Sequence, residues 1–281
     1  MIPIVSYVNS GHILLGVNWL LSLHKLSLDS GAILYCIDRL AYETMCAFQK
    51  FINSDCQIRS FFQLEVGNQE TPNSNEILTR TADWGTKNFC LVMLKKLAIQ
   101  EELWYEMGSF IYVDIDCSFS NNVGSYFDSN CTQSDVYLQS NRNDYLRPSA
   151  KNSEFCAGII YYRKPRIDII QRTITWLSER ISNIQYPLFN GGKFLDDELA
   201  INKVCHELGY EPGHLPIELF PTGRYPWNKK SIIVHANWCI GVENKIKKLK
   251  AEGHFHVEDF HAHFIELTMA YHSAIHKISF L

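Results

Sequence analysis

The chain has 281 residues, and 26 Lys and Arg against 30 Asp and Glu give it a formal net charge of −4. Such a balance excludes a nucleic-acid binder held by a chain-wide basic field, and it excludes an acidic disordered tail. With 46% hydrophobic and 13% aromatic residues, the chain can bury a large core, which excludes disorder as its main state.

Ile2 to Val8 is a short β-branched and aromatic run closed by the turn Asn9-Ser10-Gly11, and His12 to Leu26 follows with apolar residues at helical spacing. Ala32 to Asp38 repeats the buried-strand pattern and ends in an acid; Ala41 to Phe51 is a second helix. Strand, helix, strand, helix at this spacing predicts an α/β protein on a parallel sheet. Glu65 to Asn75 is polar and reads as an exposed loop. Thr86 to Met107 carries a long helix stopped by Gly108, and Phe110 to Asp116 is an apolar strand ending in two carboxylates. Val136 to Leu138 and Gly158 to Arg163 are further strands, and Ile167 to Ile184 is an amphipathic helix with Trp176 on its apolar side. Asp196 to Leu208 is a helix opened by acids that suit its N-terminus, and Ser231 to Ala236 is a last strand. No repeat or low-complexity linker interrupts the chain. It reads as one domain over residues 1–249, with a helical C-terminal extension over 250–281 packed on it.

No stretch approaches the roughly 20 uninterrupted apolar residues of a membrane-spanning helix. Met1 to Tyr7 lacks the basic and apolar regions of a signal peptide and reads as a strand. Nine scattered cysteines, never in a CxxC pair, suit small buried apolar side chains in a reducing compartment better than a disulfide framework or a structural zinc. These features predict a soluble, cytoplasmic protein.

The chemistry concentrates at Asp114-Ile115-Asp116. Alternate residues of a strand share a face, so both carboxylates project together with Ile115 turned into the core. They stand at the carboxyl end of a strand, where open α/β sheets hold their ligands. Two like charges so close are costly without a cation between them. Mg²⁺ and Mn²⁺ favour oxygen ligands, and Mg²⁺ usually adds phosphate oxygens of a substrate. The blander reading, acids that only end the strand and cap the next turn, is outweighed by the uninterrupted strand before them and by the second acid-tipped strand at Asp38. His235 follows the last apolar strand, where an imidazole completes a site favouring Mn²⁺. Lys245, beyond a backbone loosened at Gly241, can reach a diphosphate as a point charge. His254, His256, His261 and His263 read as surface or interface histidines, and Lys245 to Lys250 otherwise as a solvated helix face.

The order Asn18-Trp19-Leu20, Tyr35-Cys-Ile-Asp38, Lys96 about a helix upstream of the acids, Tyr112-Val-Asp114-Ile-Asp116, Ala157-Gly158-Ile-Ile-Tyr-Tyr-Arg163, Asp197-Glu-Leu-Ala-Ile-Asn202, Leu215-Pro216 with Phe220 and Gly223, then His235-Ala-Asn237 resembles the nucleotide-diphospho-sugar transferase family. The similarity runs over roughly Ile4 to Leu249. It implies a glycosyltransferase of the GT-A fold, a Rossmann-like, mainly parallel mixed sheet flanked by helices, that uses a nucleotide sugar and a divalent metal. It further implies that Val5, Ser6, Tyr7 and Asp38 hold the nucleoside, with Tyr7 stacking on the base. Asp114 and Asp116 then bind Mn²⁺ or Mg²⁺ and through it the diphosphate, with His235 as third protein ligand. Gly241 and Lys245 lie on the phosphates, and Lys96 faces the donor sugar. The chain departs from the family at two places that face the acceptor or reacting sugar: Asp197-Glu198 replaces an Asp-Gln pair, and Cys156-Ala157-Gly158 replaces Asn-Thr-Gly.

The implied reaction moves a sugar from a nucleotide-diphosphate donor, such as UDP-xylose or UDP-galactose, to a hydroxyl of a glycan or glycoprotein acceptor. With inversion, Asp197 or Asp196 takes the acceptor proton. With retention, which the resemblance favours, the leaving phosphate takes it and Asp197 positions the acceptor or stabilises the cationic sugar. One of the two acids serves as a first-turn helix acid. Gly191-Gly192 reads as a mobile loop over the acceptor or an ordinary turn. A metal-dependent nucleotidyltransferase or phosphohydrolase would show a glycine-rich phosphate loop or more acids. A non-catalytic carbohydrate-binding module, suggested by Trp84, Trp104 and Trp227, would not need the paired acids.

Overall fold

The computed structural model of the chain describes residues 2–62, 86–141, 155–164, 166–183, 189–190 and 193–260. The Glu65 to Asn75 loop, Trp84, Gly191-Gly192, His261 and His263 lie outside the described residues.

The first strand, β1 (Ile4–Val8), is buried at all five positions, as befits a strand covered on both faces. It pairs in parallel with β2 (Ala32–Cys36) on one side and β4 (Phe110–Val113) on the other. β3 (Gln57–Ser60) extends the sheet beyond β2. β7 (Phe155–Tyr162) lies antiparallel between β4 and β6 (Val136–Ser140), and β10 (Gly213–Leu215) closes the far edge parallel to β6. Among the described residues the sheet thus has seven strands in the order β10-β6-β7-β4-β1-β2-β3, while β8 (Phe189–Asn190) and β9 (Lys193–Phe194) form a separate antiparallel ribbon. The chain runs outward from β1 through β2 to β3, then returns to the opposite side of β1 at β4. That reversal is the switch point where an open α/β sheet leaves a crevice beyond its strand ends.

Alternation along β1 splits the core. Ile4 and Val8 pack with Trp19 and Leu20 of α1 (Ile13–His24) and Met45 and Phe48 of α2 (Arg39–Phe51) on one face. Val5 and Tyr7 pack on the other face with Leu97 and Trp104 of α3 (Lys87–Met107), Trp176 of α5 (Ile167–Asn183) and Ile201 of α6 (Asp197–Glu207). The Thr86 hydroxyl caps α3 by accepting from Phe89 N at 3.2 Å, and Gly108 at φ 70° ends it. α4 (Gly124–Asn130) covers the first face through Phe127.

The expected strand Phe110 to Asp116 divides. β4 stops at Val113, Asp114 to Asp116 form a turn closed by Cys117 N donating to Asp114 O at 3.1 Å, and β5 (Cys117–Phe119) leaves the sheet. β5 pairs antiparallel with β11 (Ile233–His235), and this ribbon sets His235 opposite Cys117. The two carboxylates therefore reach their common site through a turn instead of strand alternation, and Ile115 is only half-buried.

α7 (Val242–Ala251) follows, and the chain then crosses α1. Asn18 Oδ1 accepts from His256 N at 2.6 Å, and Asn18 Nδ2 donates to His254 O at 3.1 Å. His254 and His256 thus sit at an internal seam, half-buried beside Ser120 and Ser118. The nine cysteines are free thiols, seven of them buried. No helix among the described residues is long and apolar enough to cross a membrane.

Candidate active site at the end of the parallel strands

The crevice is built around Asp114, whose backbone N donates to Gly158 O at 2.7 Å. Its Oδ1 accepts from Tyr112 Oη at 2.8 Å and from Lys96 Nζ at 2.7 Å. Lys96, on α3, is nearly fully buried and spans further, to Asp197 Oδ2 at 2.7 Å and to Ala157 O at 2.9 Å. Its ammonium also stands 4.8 Å from the Tyr112 ring centroid. Burial alone would favour the neutral amine, but Asp114 and Asp197 hold its pKa well above the ordinary lysine value. Burial raises the Asp114 pKa against the pull of Lys96, with Asp116 adding to the rise.

Asp116 has a different balance. Burial disfavours its charge, yet Lys245 and His235 hold it well below the usual carboxylate range. Lys245 Nζ donates to its Oδ2 at 2.7 Å. Lys245 enters from the first turn of α7, which begins after Gly241 at φ 85°, a conformation that suits glycine. Burial lowers the Lys245 pKa, and Asp116 overrides it and raises it.

His235 completes the cluster. Its Nε2 lies 3.2 Å from Asp116 Oδ1 and 3.8 Å from Asp114 Oδ2. Its Nδ1 lies 2.9 Å from Gln139 Oε1, while Gln139 Nε2 donates to Phe220 O at 3.0 Å. A register shift between Leu138 and Gln139 in the β6–β7 pairing aims this fully buried amide at the ring. Gly158 makes room: a Cβ there would lie 2.0 Å from His235 Cε1. Donor atoms of Asp116, Cys117 and His235 fall within 4.8 Å of one another, so a cation held here would have oxygen, nitrogen and sulfur ligands within reach.

The remaining candidates take distinct positions. Val5 and Ser6 are wholly buried inside β1, and Tyr7 is buried beneath the crevice, where burial first and Asp114 second raise its phenol pKa and keep it neutral. Asp38 caps α2, accepting from Ala41 N at 2.9 Å, and also ties down Ser10 N at 2.6 Å. Asp196 caps α6 by accepting from Leu199 N at 2.7 Å, which leaves Asp197 as the acid facing Lys96. Cys156 Sγ lies 3.8 Å from His235 Nδ1 and accepts from Asn237 Nδ2 at 3.3 Å. Glu198 Oε1 accepts from Asn141 Nδ2 at 2.8 Å.

Sequence reasoning missed Tyr112 and Gln139 as site residues, and with them His12. Burial, and then Lys245, push the His12 imidazole pKa down to about 4, so it is neutral where it faces that lysine. Gln139 left one legible trace, a lone amide within an apolar strand.

A family model described as nucleotide-diphospho-sugar transferase matches residues 61–249, about two thirds of the chain. A search of curated proteins finds no match. Among solved structures, the chain is similar to the WbbM bifunctional glycosyltransferase (14% identity, TM-score 0.50, covering 88% of this chain and 49% of that one). It is similar to mouse xyloside xylosyltransferase 1 (11%, 0.50, covering 84% and 97%) and to an active-site mutant of LgtC (10%, 0.51, covering 89% and 96%). The chain therefore spans about half of WbbM and nearly all of the other two. At these identities the likeness establishes the GT-A glycosyltransferase fold.

Proposed function

The chain belongs to the nucleotide-diphospho-sugar transferase family and is a glycosyltransferase, and from that premise we propose that it uses a divalent metal and a UDP-sugar, such as UDP-xylose or UDP-galactose, to glycosylate a hydroxyl of a glycan or glycoprotein with retention of configuration. The orientation of His235 carries this reading. Gln139 Nε2 is committed to Phe220 O, so Oε1 faces Nδ1, and that nitrogen must hold the proton. That leaves Nε2 as the nitrogen facing Asp116 and Asp114, the position from which an imidazole would ligate a cation shared with the two acids. Asp114, Asp116 and His235 are the residues that would hold Mn²⁺ or Mg²⁺. When bound, the ion would supply neutralisation of charge on the departing diphosphate.

The chain's own residues do the rest. Lys245 brings a second positive charge to the diphosphate from α7. Lys96 fixes Asp197 as an oriented negative charge, which suits stabilising a cationic sugar better than shuttling a proton. The acceptor proton then passes to the leaving phosphate oxygen on the same face. Tyr7 and Asp38, with Val5 and Ser6 behind them, shape the nucleoside side, while Cys156, Ala157, Gly158 and Glu198 line the acceptor side. The free thiols support a reducing, cytoplasmic setting. The ties of His254 and His256 to Asn18 support reading the segment from residue 250 as an extension of the same domain, of which residues 261–281 lie outside the described residues.

The test is thermal. Mn²⁺ with a UDP-sugar is expected to raise the melting temperature, and Asp114→Asn to abolish the shift. No stabilisation of the unsubstituted chain by any of a panel of nucleotide sugars with metal sinks the proposal.

A further inference from the structure

The loop between β11 and α7 holds an indole in solvent where core packing does not call for one. Trp238 is 59% exposed, yet its backbone sits at φ 60°, a region disfavoured for bulky side chains. The ring is oriented by polar ties. Nε1 donates to Asn141 Oδ1 at 3.3 Å, and Asn141 Nδ2 donates to Glu198 Oε1 at 2.8 Å. Glu198 is the chain neighbour of Asp197, the acid paired with Lys96. Arg224 adds a guanidinium 5.4 Å from the ring centroid. An exposed aromatic plane is thereby fixed on the loop that leaves His235, at the end of a hydrogen-bonded chain that starts on α6.

We propose that Trp238 is the stacking platform of an acceptor subsite, taking the apolar face of a pyranose ring while Asn141 and Glu198 meet its hydroxyls. The inference rests on the sugar-transfer reading and names a residue that recognises the acceptor. A pyranose offers C–H groups on its face and hydroxyls at its edge. An indole supplies a large rigid apolar surface with a polar tip, and a neighbouring amide and carboxylate supply both donor and acceptor groups. Beside the amide donor of Asn141, Glu198 stands where the family pattern has an amide, so when ionised its carboxylate only accepts hydrogen bonds. It therefore selects an acceptor that presents hydroxyl donors beside the stacked ring.

The experiment is saturation-transfer NMR on the full chain with Mn²⁺ and UDP, using methyl pyranosides of gluco, galacto, manno and xylo configuration as probes. At least one is expected to bind saturably through its ring C–H protons. Trp238→Ala should weaken that binding roughly tenfold, the scale of a lost aromatic contact, and Trp238→Phe should weaken it less. Equal binding by Trp238→Ala, or no binding by any of the four probes, overturns the proposal. The melting-temperature rise with metal and UDP-sugar, measured on the same samples, separates the two ideas. A rise without pyranoside binding removes the subsite alone, whereas loss of both removes the sugar-transfer reading with it.

Discussion

Lys96 shows how one side chain can hold a site together. A buried ammonium between two carboxylates is tolerated because each charge satisfies the others, and removing one partner of such a set costs about 3–5 kcal/mol. Lys96→Met is therefore expected to destabilise the chain by that order at neutral pH, measured as a shift in urea unfolding. The pH dependence follows from the direction of the lysine shift. A group whose folded pKa is raised contributes stability that is fully present below its unfolded value and lost as pH rises through the folded one, so at pH 7 the whole contribution is in place. In the variant, Asp114, whose pKa burial already pushes upward, is left without its cation, and acid relieves it by protonation. The deficit should shrink between about pH 7 and about pH 4; a deficit that is constant over this range would show that Lys96 acts through packing alone.

At the level of elements, the meeting of β7 and β11 sets the tolerance of the site. Gly158→Ala drives a methyl into the His235 ring, and overpacking of this kind costs about 1–3 kcal/mol. The expected outcome is a modest loss of stability in denaturant together with loss of the metal-and-donor thermal shift. A retained shift would mean that the imidazole does not take part. The strands that form the parallel core were readable because burial on both faces makes them continuously apolar, as in Ile4–Val8 and Phe110–Val113. β3 escaped notice because Gln57 and Ser60 are exposed at the sheet edge, and β10 because it is three residues long. Asp114 and Asp116 were legible from sequence as a pair, but their geometry was not. The departure of β5 from the sheet depends on its pairing with β11, a partner far along the chain. Tyr112 was illegible for a related reason, and Gln139 showed only its lone amide: in sequence each is one residue of a buried strand, and only the fold turns it toward Asp114 or His235.

Across the whole molecule, the net charge of −4 conceals a site in which Lys96, Lys245 and His235 meet Asp114, Asp116 and Asp197. The stretch from His254 to His256 is joined to this body through Asn18, 238 residues from His256. Distance along the chain also governs when the site comes into being. Asp116 and Lys245 are 129 residues apart in sequence, and closing so long a loop carries an entropic cost that must be met before the contact rewards it. A ribosome releasing this polypeptide exposes the acidic turn well before the lysine and the histidine exist to receive it. Competence to grip a donor should therefore be the last property gained during refolding, trailing the recovery of far-ultraviolet ellipticity in stopped-flow experiments. If donor binding instead returns in step with the helices, the acidic turn is organised locally and the late-arriving partners only refine it.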